Sequence, residues 1–144
     1  ADMADVVKSK AAEQDIIIMT AAVADFCPSH PADEKIKKND SSYESVIELE
    51  RTEDILSYLG AHKAKGQLIC GFSMETQNML ENSKAKLAKK NADMIVANNL
   101  KVAGAGFGTD TNVVTLITAD DCTELEIMDK SCVAARIMDR LLQM

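Results

Sequence analysis

Asp15-Ile-Ile-Ile-Met-Thr20, Gln67-Leu-Ile-Cys-Gly-Phe72 and Asp93-Met-Ile-Val-Ala97 are the stretches whose reading decides the fold. Each is a short apolar run that is continuous rather than alternating, the pattern of strands covered on both faces, as in parallel sheets. Around them, residues 2–14, 53–59 and 78–91 carry helical patterns, the second ended by Gly60. Strand and helix therefore alternate, which predicts an α/β fold with an open, mainly parallel sheet between helical layers.

The pattern changes after Gly104-Ala-Gly-Phe-Gly108. Residues 112–118 and 123–128 are β-rich and separated by the turn-compatible Ala119-Asp-Asp121, which predicts an antiparallel C-terminal hairpin on the sheet edge. A helix over 131–142 closes the chain, because Val133, Ile137 and Leu141 recur every four residues on one face. Residues 43–49 alternate as a half-exposed strand would. No internal repeat, linker or low-complexity tract interrupts a chain of 144 residues, and 47% apolar content suffices for one core, so a single domain is expected.

Composition narrows the function. The net charge of −7 argues against a general nucleic-acid or anionic-membrane binder, and no apolar run is long enough to span a bilayer. No signal-like segment opens the chain, so a cytoplasmic location is expected. Cys27, Cys70, Cys122 and Cys132 are too dispersed to suggest a metal pair or a disulfide framework. The first glycine is Gly60, so no glycine-rich phosphate turn follows the first strand. A doubly wound domain ordinarily opens with a strand, whereas this chain opens on a helical pattern. A domain lacking its first strand–helix unit is therefore expected.

Several residues could carry chemistry. Thr20-Ala-Ala-Val-Ala-Asp25 follows the C-terminal end of the first strand, where open sheets bind ligands; Asp25 suits ribose hydroxyls or a metal, or else a plain helix cap. Glu34-Lys35-Ile-Lys-Lys38 places three lysines in an acidic chain, and Lys86 and Lys90 lie one helical turn apart. Two basic clusters suit a polyphosphate, though both could be solvated faces. Thr52-Glu-Asp-Ile55 reads as a capped helix start with Thr52 as cap, and Phe72 as either a nucleobase contact or core. Glu75 fits an acid, base or ligand, or simply a helix-start carboxylate. Residues 104–108 read as a mobile or partner-facing loop. His30 and His62 have no partner constellation, and the scattered methionines fill the core.

Ala21-Ala-Val-Ala-Asp-Phe26, Glu34-Lys-Ile-Lys-Lys38, Thr52-Glu-Asp-Ile-Leu56, Gly71-Phe-Ser-Met-Glu-Thr76, Lys86 with Lys90, Ala97-Asn-Asn99 and Gly106-Phe-Gly-Thr-Asp110 occur in the order and near-spacing of one family. The chain resembles the bacterial phosphopantothenate-cysteine ligases, which commonly form the C-terminal half of a bifunctional flavoprotein. The resemblance implies a Rossmann-like sheet and a step of coenzyme A biosynthesis. There CTP, accompanied by Mg2+, activates phosphopantothenate as an acyl-cytidylate that L-cysteine then attacks. It further implies a homodimer and a linked decarboxylase domain that alone would hold FMN. Carried over by position, Met19, Thr20, Ala21 and Asp25 line the nucleotide and Lys35 is catalytic. Glu53, Asp54, Ile55 and Leu56 form the helix start that touches the nucleotide, Phe72 is its aromatic contact, and Lys86 and Lys90 hold the triphosphate. No metal ligand is implied. The family's upstream glycine loop and its asparagine have no counterpart in the sequence, and Glu53 stands where a proline is common. The other reading of the same residues is a non-catalytic nucleotide-binding or dimerisation module.

Overall fold

The computed structural model describes residues 2–35, 46–75, 78–99, 106 and 108–144. A five-stranded sheet runs in the order β1 (Ile16–Met19), β4 (Leu68–Glu75), β5 (Met94–Asn99), β7 (Val114–Ile117), β8 (Cys122–Glu124). β1, β4 and β5 are parallel, with Ile16 beside Leu68 and Cys70 beside Met94; β7 and β8 join antiparallel, with Ile95 beside Ile117 and Ile117 beside Cys122. The three expected apolar runs are thus the parallel strands.

Their apolar residues split by parity between two cores, as period-two side chains must when both faces are covered. On one face Cys70, Met94 and Val96 pack with Val133, Ile137 and Leu141 of α4 (Lys130–Leu141), the stripe read from the sequence. On the other, Ile69 packs with Ala4 of α1 (Asp2–Ala11) and with Ile55 and Leu59 of α2 (Ile55–His62). α3 (Met79–Lys90) lies beside α2 and buries Leu87 and Ser83. Each large apolar side chain removed from water in this way contributes about 1.5–3 kcal/mol. β1 is only half-buried, against the expectation for its run, because among the described residues it is an edge strand.

Buried and half-buried polar groups tie the elements. Asp93 accepts the Ile69 N–H at 2.7 Å and the Lys63 ammonium at 2.8 Å, locking the start of β5 to β4. The Gln67 amide donates to the carbonyls of Ala11, at 2.7 Å, and Gln14, so α1 stops at Ala11 rather than at residue 14. The carbonyl of its last residue, Ala11, accepts from a side chain 56 positions away, a partner that helical periodicity cannot reveal.

Three expectations need correction. Gly60 does not end α2; it lies inside the helix, which continues to His62, and serves the packing of α2 on α3. Residues 112–118 are not one strand: β6 (Thr111–Asn112) pairs with β9 (Met128–Asp129) in a separate ribbon, while β7 lies inside the sheet and only β8 at its edge. The hairpin turn itself is as expected, closed by Thr118 N–H to the Asp121 carbonyl at 2.9 Å. Finally, the strand sought at 43–49 is β3 (Leu49–Arg51), paired antiparallel with β2 (Phe26–Pro28) in a short exposed ribbon; residues 43–45 lie outside the described residues. Both β2 and β3 are three residues long, too short for a period to show. No helix among the described residues is long and apolar enough to cross a membrane.

Candidate functional site

A cavity of about 270 Å³ opens beyond the C-terminal ends of β1 and β4, the position where open α/β sheets bind ligands. One wall is the segment after β1, contributing Met19, Ala21, Val23, Ala24 and Asp25. Its small side chains leave backbone accessible. The second wall runs from Arg51 to Leu56 and includes the start of α2; the third is α3, through Lys86 and Lys90, with Phe72 at the end of β4.

The walls are joined locally. Thr52 is not the helix cap that the sequence suggested. Its N–H donates to the Asp25 carbonyl at 3.0 Å and its hydroxyl donates to the Ala24 carbonyl, so it staples the start of α2 to the segment after β1. The cap is Asp54, whose Oδ1 accepts the Ser57 N–H at 2.9 Å. The other Asp54 oxygen accepts from Lys90 Nζ, which also donates to Ser57 Oγ at 2.9 Å, binding α3 to the α2 cap. Lys86 Nζ donates to the Phe72 carbonyl at 2.9 Å.

Charge is nearly balanced around the cavity. Desolvation pushes the Asp54 carboxyl up, but the Lys90 ammonium and the Ser57 N–H together outweigh it and hold the group below its ordinary value. Glu53 is engaged outward by Lys8 of α1, and that hydrogen bond raises the Lys8 ammonium above its ordinary value. Lys8 also sits 4.7 Å from the centre of the Tyr58 ring. The first turn of α2 presents the positive end of its dipole to the cavity, favourable for an anion.

Of the residues singled out from sequence, Met19, Ala21, Asp25, Glu53, Asp54, Ile55, Leu56, Phe72, Lys86 and Lys90 all line this one cavity. Thr20 lies within the same segment but does not line it, and Lys35 is exposed and outside its lining. Lys37 and Lys38, with the rest of 36–45, lie outside the described residues, as do residues 104, 105 and 107 of the glycine-rich loop. Phe72 packs against the Cys70 and Met94 core while its carbonyl serves Lys86. Glu75 ends β4, and its side chain lies outside what is described. His62 stacks on Tyr58 at 4.1 Å, and exposed His30 lies beside Glu48; neither lines the cavity. The sequence reading missed Arg51, a cavity residue at the end of β3. The available signal was a cation immediately before Thr52, obscured because the expected strand ended two residues too early, at Leu49.

The whole chain, residues 1–144, matches the family model described as the DNA/pantothenate metabolism flavoprotein C-terminal domain. It is 47% identical over 142 residues to the coenzyme A biosynthesis bifunctional protein CoaBC of Bacillus subtilis (strain 168), covering 98% of this chain and 34% of that protein. The chain thus spans about a third of that relative's length. Among solved structures, the C-terminal domain of a coenzyme A biosynthesis bifunctional protein CoaBC superposes with a TM-score of 0.76 at 40% identity, covering 99% of this chain and 62% of that one. A Cab2 mutant in complex with phosphopantothenate-cysteine shares the fold, with a TM-score of 0.64 at 18% identity over 95% of this chain and 48% of that one. The ordered motifs, the mixed sheet and the full-length match agree: the chain belongs to the family of DNA/pantothenate metabolism flavoprotein C-terminal domains.

Proposed function

We propose that this chain is part of a domain that ligates phosphopantothenate to L-cysteine in coenzyme A biosynthesis, driven by CTP, and that residues 1–144 by themselves do not turn over. The observation that supports it most directly is the convergence of Lys86 and Lys90 from α3 on the accessible backbone after β1, beside the N-terminus of α2. A triphosphate needs cations and helix dipoles, and a nucleoside needs small residues that admit it to the backbone; one cavity offers both. The bifunctional coenzyme A protein that shares 47% identity supports the same assignment.

In this reading a carboxylate oxygen of phosphopantothenate attacks the α-phosphorus of CTP. A P–O bond forms, the bond to the β-phosphate bridge breaks, and pyrophosphate leaves with the electron pair. The amine of cysteine then attacks the acyl carbon, losing a proton as the amide forms and CMP departs. Lys86 and Lys90 neutralise the charge that accumulates on the pyrophosphate, a contact worth most where charge grows during reaction. Lys35, exposed and on the segment leading out of the β2 ribbon, serves the reacting acyl-phosphate in this scheme. Among the described residues no group of three metal-binding side chains is close enough to cage a cation. Mg2+, which needs only one or two carboxylates besides phosphate and water, fits this cavity with Asp25 as its oxygen donor, and when bound it neutralises phosphate charge.

Calorimetric titration of the intact protein with CTP, ATP and GTP in the presence of Mg2+ tests the proposal. Preferential binding of CTP, with pyrophosphate released only when phosphopantothenate is added, is expected. Absence of nucleotide binding overturns it; binding without pyrophosphate release identifies a nucleotide-binding module instead.

A further inference from the structure

Among the described residues three cations line the cavity, and they differ in what already occupies them. Lys90 is paired with Asp54 and Ser57, and Lys86 is bonded to the Phe72 carbonyl. Arg51 is different: among the described residues no carboxylate lies within ion-pair distance of its guanidinium, and no hydrogen bond engages it. Its five N–H donors in a fixed fork thus meet no acceptor among the described residues, in the wall of a cavity that also holds two lysines and the start of α2.

Its neighbours nevertheless hold it in place. Arg51 and Phe26 are register partners across the β2–β3 ribbon, and the guanidinium carbon stands 5.3 Å from the centre of the Phe26 ring. That is a cation–π arrangement, which orients the planar group without using its hydrogen bonds. The following residue, Thr52, fixes the backbone to Asp25 and Ala24. An arginine held on an aromatic face, in the wall of a cavity and with no acceptor engaged among the described residues, matches the planar, bidentate recognition of a phosphoryl group.

We infer that Arg51, supported by Phe26, is a phosphoryl-binding residue of this site. The inference rests on the ligase reading. Two phosphorylated ligands enter such a site, the nucleoside triphosphate and the phosphate ester of the acid substrate, and the experiment separates them. Wild type, Arg51→Ala, Arg51→Gln, Arg51→Lys and Phe26→Leu forms of the intact protein are titrated calorimetrically with CTP and, separately, with phosphopantothenate. Loss of a charge-assisted bond weakens the ligand that Arg51 contacts by about tenfold or more in the Ala and Gln variants. Lys restores part of the affinity, and Phe26→Leu weakens the same ligand by about two- to fivefold. The salt dependence of that ligand's affinity becomes shallower in Arg51→Ala, while thermal unfolding stays at the wild-type temperature; a structural role would move unfolding and spare neither ligand. Wild-type binding with both affinities unchanged within twofold in Arg51→Ala and Arg51→Gln overturns the inference alone. Wild-type protein that binds neither ligand overturns the ligase reading and the inference with it.

Discussion

Gly60 of α2 lies directly against the Lys90 carbonyl of α3: a β-carbon at position 60 would stand 1.8 Å from that oxygen. The Asn91 side-chain amide donates to the Gly60 carbonyl at 2.7 Å, fastening the same crossing from the other side. Because Lys90 and Asp54 belong to these two helices, the crossing sets the spacing of one cavity wall from another. Gly60→Ala gains up to about 1 kcal/mol of helix propensity but overpacks the crossing by about 1–3 kcal/mol or more, so destabilisation wins. Urea unfolding should show a lower midpoint with an unchanged slope. A midpoint equal to or above wild type would show that the helices separate freely.

Asp54 has two separable jobs, cap and ion pair, and two substitutions divide them. Asn keeps a capping acceptor while removing the charge that holds Lys90; Ala removes both, and loss of the cap costs about 0.5–2 kcal/mol. Asp54→Ala should therefore be the less stable variant. Since the folded state holds the Asp54 carboxyl below its ordinary value, its contribution is fully present above the unfolded-state value, about 3.9, and fades as pH falls through the lower folded value. The gap in urea midpoint between wild type and Asp54→Asn should accordingly be level near neutrality and close as pH drops below about 4. A gap constant down to the acid limb would mean that the Lys90 pairing contributes nothing.

Lys35 is exposed and engages no carboxylate among the described residues, so Lys35→Gln should leave stability within about 0.5 kcal/mol of wild type. If it serves the reacting acyl-phosphate, turnover falls by about 10² to 10³. Single-turnover pyrophosphate release is the measurement, and activity within about threefold of wild type would remove Lys35 from that role.

If Lys86 and Lys90 hold a triphosphate, most of the charge they meet is already present in the ground state and only part of it grows during reaction, so the Lys86→Ala, Lys90→Ala double variant should raise KM for the nucleotide more than it lowers kcat. Steady-state kinetics at low and high salt should also show a weaker salt response. An unchanged KM at low salt would make this face of α3 a merely solvated one.

What the amino-acid sequence determined by itself was local and periodic. Continuous runs at 16–19, 68–72 and 94–97 are legible as parallel strands because helices on both faces oblige every position to be apolar. Val133, Ile137 and Leu141 are legible because one helix face suffices to reveal a buried stripe. The pairing of Lys86 with Lys90 follows from helix geometry alone, and position at a strand end placed residues 19–25 beside a cleft. Tertiary structure alone decided the rest, since each remaining feature depends on a partner distant in sequence. Gly60 looked like a stop because the residue that requires it to lack a side chain, Lys90, comes 30 positions later. Thr52 looked like a cap because the carbonyls it binds, at Ala24 and Asp25, come from another element. Arg51, a cation in sequence, could not be placed until the three-residue ribbon set it on Phe26 and in the cavity wall, for a side chain's surroundings in so short a strand are fixed by the pairing and not by any periodicity.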